Sequence, residues 1–285
     1  MTPFELLEPR TLREAAGLLA SAEPSVRPIA GGTAIMLMMK MGVLRPSRLV
    51  SLRAVEKRYS AIEAGADGGL TIGALATLAS LERSPVVKSR APVIIRALRT
   101  LANVRVRNVA TVGGHLAHAD PHMDLPPLLI ALGASVSVVG ADGERTLPLE
   151  ALYAGYLETT LRHGELIAQL NIPALGARRA AYLKCTTRSA DDWPALGVAV
   201  ALDADGTVIR EARVVIGAAT DTPVRLANAE KALRGARADD AALRRAGDAA
   251  AAEVTAISDQ HGTAAYKREL VRVYVARAVR AAVAE

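Results

Sequence analysis

The sequence predicts an α+β fold in two domains, residues 1–175 and 176–285. Three observations lead to this. Through the first part, extended apolar runs broken by glycines alternate with short helical repeats. A stretch bearing Pro, Gly and Arg, from Pro173 to Arg179, then follows Leu170-Asn171-Ile172. Beyond it, strand-like runs give way to alanine-rich helical repeats, the order of a sheet covered by helices.

Taken in order, Thr11 to Ser21 carries Leu12, Ala15, Ala16, Leu18 and Leu19 at helical spacing, behind a threonine suited to an N-cap. Val26 to Ala30 reads as a buried strand that enters the turn Gly31-Gly32-Thr33, and Ala34 to Met41 returns to helix-forming residues. From Leu49 to Leu78, short apolar runs broken by Gly65-Ala66-Asp67-Gly68-Gly69 predict hairpins. Pro92 to Ala102 places Val93, Ile94, Ala97, Leu98 and Leu101 on one helix face, and leads through the polar segment Asn103 to Asn108 to a second glycine turn at Gly113-Gly114. Leu125 to Leu132 is apolar, and Ser135 to Val139 with Arg145 to Leu149 forms a hairpin about Asp142-Gly143. In the second domain, Leu196 to Leu202 and Val214 to Ala218 predict antiparallel strands, with a turn at Asp203 to Gly206. The last helix carries Val271, Tyr274, Val275, Ala278, Val279 and Ala282 at spacings of three and four.

Composition narrows the function. The 285 residues are 51% hydrophobic but only 3% aromatic, so Ala, Val, Leu and Ile must fill the core and each bulky ring stands out. A single cysteine, Cys185, excludes an internal disulfide framework and any iron-sulfur cluster held by this chain alone, and fits a cytoplasmic setting. Residues 1–10 lack the basic-then-apolar pattern of a secretory signal, and the longest apolar run, Ala34 to Leu44, is interrupted by Lys40, so no membrane span is expected. The net charge of +6 is dispersed. Its densest group, Arg96, Arg99, Arg105 and Arg107, has no aromatic residues interleaved for stacking on bases, so no nucleic-acid role is expected.

Three features can carry chemistry. The pairs in Ala30-Gly31-Gly32-Thr33 and Thr111-Val112-Gly113-Gly114-His115 can bring backbone N–H groups close to phosphate oxygens from two sides. Either pair alone is as readily an ordinary turn, and neither the G-x-G-x-x-G nor the P-loop fingerprint is present. His115, His118, Asp120, His122 and Asp124 offer five metal-ligand types within ten residues, although Pro121 breaks any regular helix through them. Trp193, the only tryptophan, follows Asp191-Asp192 in a polar loop, where its ring can stack on a planar cofactor or pack between domains. Lys184 can meet an anion or serve as an edge-strand lysine, and Cys185 is structural.

These residues also carry a resemblance. Pro28-Ile29-Ala30-Gly31-Gly32-Thr33, Arg107-Asn108-Val109-Ala110-Thr111-Val112-Gly113-Gly114, Ala119-Asp120-Pro121 and Asp124-Leu125-Pro126 resemble the FAD-binding medium subunits of the xanthine dehydrogenase and carbon monoxide dehydrogenase family. The likeness continues through Ala181-Tyr182-Leu183-Lys184, Gly217-Ala218-Ala219, Thr222-Pro223 and Tyr266-Lys267-Arg268, nearly to the end of the chain.

The resemblance implies a bipartite FAD-binding domain of the PCMH type, built from two subdomains, and a smaller α+β C-terminal domain. It implies a first FAD contact loop of Ile29, Ala30, Gly31, Gly32, Thr33, Ala34 and Ile35. A second would comprise Thr111, Gly113, Gly114, His115, His118, Asp120 and Asp124, with Leu101 and Ile167 lining the cofactor. Lys184 falls where the family has a flavin-contacting lysine, and Trp193 where its carbon monoxide dehydrogenase branch brings an aromatic ring to the isoalloxazine. His115 stands where the family commonly has Asn, Ala34 where it has an acidic or polar residue, and the His122-Met123 pair is unusual.

The partners implied are a large subunit with the molybdenum cofactor and a small subunit with two-iron two-sulfur clusters, assembled as a dimer of heterotrimers. The chain itself would be an oxidoreductase subunit relaying electrons through FAD to an external acceptor. Two other readings use the same residues: a His/Asp metal-dependent hydrolase, and a non-catalytic assembly subunit of the same fold.

Overall fold

Helical spacing near the start of the chain folds as expected. A computed structural model describes residues 2–20, 23 and 25–285. In it β1 (Glu5–Leu7) precedes α1 (Leu12–Ala20), which buries Leu12, Ala15, Ala16 and Leu19. Ser21, expected to end this helix, lies outside the described residues. Next come β2 (Val26–Ile29), α2 (Ile35–Lys40) and β3 (Arg48–Ser51), the strands forming a parallel sheet in the order β1-β3-β2. The expectation of a buried strand at Val26 to Ala30 is corrected: β2 is an edge strand, with Val26 buried and Arg27 and Pro28 exposed, a place where proline's missing N–H is tolerated.

The expected hairpins number one. β4 (Ile62–Ala64) and β5 (Leu70–Gly73) pair antiparallel across the glycine-rich turn, whereas the start of the same stretch belongs to the parallel sheet. Six short helices follow: α3 (Leu78–Arg83), α4 (Pro85–Arg90), α5 (Pro92–Leu98), α6 (Val104–Arg107), α7 (Val112–Ala117) and α8 (Leu125–Ala131). The helix expected to reach Ala102 stops at Leu98, and Ala102 itself is left-handed at φ 50°. The polar segment after it is a helical turn, because the Asn103 side chain accepts from Val106 N–H at 3.1 Å and caps it.

β6 (Ser135–Gly140) and β7 (Gly143–Pro148) make the expected hairpin. β8 (Tyr153–Gly155), β9 (Glu158–Thr159) and β10 (Leu166–Ile172) complete this part, and β10 enters the centre of a five-stranded sheet ordered β4-β5-β10-β6-β7. Buried Val139, Leu166 and Ala168 from this sheet join the core of α1, so the two sheets share a side of one core.

The C-terminal part is a four-stranded antiparallel sheet of β11 (Arg179–Cys185), β12 (Leu196–Asp205), β13 (Val208–Gly217) and β14 (Val224–Arg225), followed by α9 (Ala227–Leu233), α10 (Asp240–Glu253) and α11 (Ala264–Val283). The two long strands run further than expected, because the chain reverses only at Gly206, at φ 57°. Strand alternation decides how the parts join. On β12, Val198, Val200 and Leu202 face the core with α10 and α11, while Ala199 and Ala201 face the core of the preceding part. Small side chains on one face let the sheet lie close against α5 and α8. Arg96 and Arg107 of the basic group are each tied to a carboxylate, Glu285 and Glu82.

Candidate functional site

The β2–α2 loop, α7 and the loop joining β11 to β12 surround a cavity of about 800 Å³, near the upper end of the ~300–1,000 Å³ range of small-molecule sites. Every residue expected to hold the cofactor lines it except Lys184: Ile29 to Ile35, Leu101, Thr111, Gly113, Gly114, His115, His118, Asp120, Asp124, Ile167 and Trp193.

The two glycine pairs lie side by side but are built differently. Gly32, at φ 77°, turns the chain into α2. Among the described residues, the amides of Gly31 to Ile35 make no hydrogen bond to the protein, which leaves a row of donors on the cavity wall. The second pair is not a turn, which corrects the expectation. Gly113 and Gly114 occupy the first turn of α7, where Thr111 Oγ1 accepts from Gly114 N–H at 3.1 Å and Ala74 O accepts from Gly113 N–H at 2.7 Å. Its donors are therefore used internally. These glycines serve close packing: a Cβ on Gly113 would lie 2.6 Å from Ala74 Cβ, and one on Gly31 only 2.0 Å from Val109 O. Backbone lies on backbone there, which fixes the first loop against the approach to α7.

His115 offers the cavity something the glycines do not. Its Nε2 is buried with no partner among the described residues. Burial, reinforced by the charge of His118, lowers its pKa to about 3, so the ring is neutral at physiological pH. A neutral imidazole with a free ring nitrogen can make one hydrogen bond to a ligand. Free amides, an orphaned polar atom and an apolar cavity together suit a ligand with flat rings and anionic oxygens, as FAD has.

Lys184 is spent elsewhere. Its ammonium donates to Thr100 O at 2.6 Å, Asp192 O at 3.1 Å and Asp124 Oδ2 at 3.2 Å, so it braces the cavity wall from behind. Tyr182 Oη donates to the other oxygen of Asp124 at 2.6 Å. Burial raises the Asp124 pKa, with the Lys184 charge and the Tyr182 hydrogen bond opposing it.

The five histidines and aspartates do not converge as metal ligands, and among the described residues no three His, Cys, Asp or Glu groups are placed to hold an ion. Asp124 turns toward Tyr182 and Lys184, and Asp120 toward His122. The geometry thus gives the metal-hydrolase reading no ligand set. His122 lies between Asp120 Oδ1, 3.0 Å from its Nδ1, and Asp259 Oδ2, 2.9 Å from its Nε2. Its ring stacks on Trp193 at 5.5 Å between centroids and 7° between planes. Burial alone would lower the His122 pKa, but the two carboxylates outweigh it and raise the pKa above the ordinary histidine value.

Sequence reasoning missed part of the wall. Leu75, Leu78, Val106, Leu161 and Leu166 line the cavity as ordinary apolar residues, with nothing local to distinguish them from core. Tyr156 also lines it and is 58% exposed. Its rarity as an aromatic in this composition was the available signal.

Known proteins match this chain over nearly its whole length. Residues 2–175 match the model of the FAD binding domain in molybdopterin dehydrogenase, and residues 181–282 that of the CO dehydrogenase flavoprotein C-terminal domain. The chain is 30% identical over 276 residues to the glyceraldehyde dehydrogenase medium chain of Sulfolobus acidocaldarius, covering 96% of each. It superposes on a chain of the carbon monoxide dehydrogenase from Hydrogenophaga pseudoflava, in a form lacking the Mo-pyranopterin moiety of the molybdenum cofactor. That match has a TM-score of 0.95 and 32% identity and covers 100% of this chain and 99% of the other. A chain of quinoline 2-oxidoreductase from Pseudomonas putida 86 gives a TM-score of 0.93 at 28% identity, covering 99% and 98%.

Proposed function

This chain belongs to the family of FAD-binding medium subunits of molybdenum hydroxylases, and from that premise we propose that it is the electron-transfer subunit of such a complex. In this reading an organic substrate is oxidised at a molybdenum cofactor on a large partner. Electrons cross two-iron two-sulfur clusters on a small partner, and this chain delivers them to an external acceptor. FAD, when bound, supplies one- and two-electron redox chemistry, and the protein supplies binding, orientation and electrostatics. Having one cysteine, the chain cannot itself hold such a cluster.

The observation that carries the proposal is the cavity wall. The unbonded amides of Gly31 to Ile35 would receive the pyrophosphate oxygens, with Thr111, whose hydroxyl is free to donate, on the opposite side. His115 Nε2 would take a polar atom of the cofactor, Leu101 and Ile167 its apolar faces, and Trp193 its flat ring. Lys184 would act on the flavin through Asp124 and the Trp193 loop, not by touch. We place the domain boundary at 175/176, where β10 has ended and β11 has yet to begin. A dimer of heterotrimers in the cytoplasm completes the reading; among the described residues no helix is long and apolar enough to cross a membrane.

The test is to purify the full chain, supply FAD and measure flavin absorbance and stoichiometry, then co-express it with the large and small partner subunits and follow flavin reduction by substrate. A folded chain that takes up no flavin would refute the proposal and favour an assembly subunit. Flavin that binds but is never reduced through the partners would refute the relay alone.

A further inference from the structure

His122 has both ring nitrogens within hydrogen-bond distance of carboxylate oxygens, Asp120 Oδ1 at 3.0 Å and Asp259 Oδ2 at 2.9 Å. A carboxylate only accepts, so satisfying both contacts requires both nitrogens to donate, and the ring is an imidazolium. Asp120 also accepts from the His122 backbone N–H at 2.8 Å. Asp259 is held in turn by Lys267, a fully buried ammonium on α11 that also donates to Ala218 O at 2.7 Å. The chain of groups therefore runs Asp120, His122, Asp259, Lys267, from the first domain into the second, and its charges balance only while His122 keeps its proton. Against the imidazolium lies Trp193, nearly parallel at 7°, and both rings line the cavity. A cation over an indole face is attractive, more so when shielded from water.

We propose that His122 is a positioning residue of the ligand site: clamped between Asp120 and Asp259, it fixes the plane of the Trp193 indole on the cavity wall, and through that plane the orientation of the flavin ring. This rests on the FAD reading above. The titratable groups around the clamp are His261 on the loop before α11, whose ring centroid lies 5.0 Å from that of His122, His118, whose charge acts on Asp120, and Asp192, whose charge acts on His261. His118 and His261 both have pKa values lowered, by burial first, whereas that of His122 is raised, so on titration with base they lose their protons before it does. Asp191 is exposed, so water screens its field, and the half-buried Asp192 is paired with Arg188 at 3.1 Å. Losing the His122 proton leaves two carboxylates facing an uncharged ring, and the clamp on Trp193 loosens.

Trp193 is the only tryptophan, so indole emission of the full chain reports this stack alone. A stacked imidazolium quenches indole emission far more than a neutral imidazole does. Titrating the FAD-free chain with base should raise the emission in one transition, with its midpoint above the ordinary histidine value of about 6.5. His122→Gln should abolish that transition. Asp259→Asn keeps the ring and removes one charged partner, so the transition should persist with a lower midpoint, a shift that a purely structural contact would not produce. In the FAD-loaded chain, His122→Gln should change the visible circular dichroism of the flavin, which reads the asymmetry around its ring. A wild-type transition in His122→Gln, an unmoved midpoint in Asp259→Asn, or an unchanged flavin spectrum would each overturn the proposal. If the wild-type chain binds no FAD, the FAD reading fails instead, and the emission titration still judges the clamp between His122 and Trp193.

Discussion

Replacing Gly31 by alanine tests how the two glycine segments are held together. The added Cβ would sit 2.0 Å from Val109 O, 2.8 Å from Val109 C and 2.9 Å from Ala110 Cα. A relaxed carbon–oxygen contact is about 3.3 Å, so the two segments must part by roughly an ångström. No side chain can swing aside, because all three atoms are backbone. Overpacking of this kind costs about 1–3 kcal/mol, and a large domain loses ~2–4 °C in Tm for each kcal/mol. The same displacement moves the free amides of Gly31 to Ile35 relative to α7, so FAD affinity should fall by about 5- to 150-fold if a similar energy is lost from binding. The assay is thermal melting of the FAD-free chain beside FAD titration of wild type, Gly31→Ala and Gly114→Ala. At Gly114 the nearest atom is the Thr111 hydroxyl at 2.9 Å, a side chain able to turn at the loss of its cap, about 1 kcal/mol. The Gly31 variant should be the weaker of the two in both measurements. Wild-type melting and affinity in Gly31→Ala would refute the account of Gly31 as a backbone contact.

Two further outcomes follow from buried charge. His115 has a folded pKa of about 3 against an ordinary 6.5, so between these values the unfolded chain holds a proton that the folded chain does not. Stability therefore falls as pH drops through this window, by up to about 1.4 kcal/mol per pH unit. His115→Asn should flatten that slope in chemical denaturation between pH 6 and 4, and an unchanged slope would contradict a neutral buried His115. Lys267→Met removes the ammonium that Asp259 and Ala218 O share. Breaking a buried pair in this way should destabilise the chain by about 3–5 kcal/mol, and denaturation at wild-type urea concentration would show that Lys267 is dispensable.

Local signals explain what could be read in advance. The spacing of Leu12, Ala15, Ala16 and Leu19 defined α1, and Asp142-Gly143 fixed the β6–β7 hairpin, because periodicity and turn chemistry act over a few residues. Partners far along the chain were not legible. Gly113-Gly114 looked like a turn because nothing nearby shows Ala74, 39 positions earlier, packed on Gly113. The hydrogen bonds of Lys184 could not be foreseen because Thr100 and Asp124 lie 84 and 60 positions away.

By itself, then, the sequence determined the two-part α+β plan, the family and the two segments that meet at one cavity, because those depend on short motifs in a set order. Only the tertiary structure decided what each of them does. The free amides belong to the first glycine pair alone, Lys184 stands behind the wall, and His122, stacked on Trp193, meets an Asp259 that lies 137 positions further along the chain. The physical reason is that a donor, an acceptor or a charge acquires its role from the partner it is buried with, and these partners are brought together by the packing of one domain on the other.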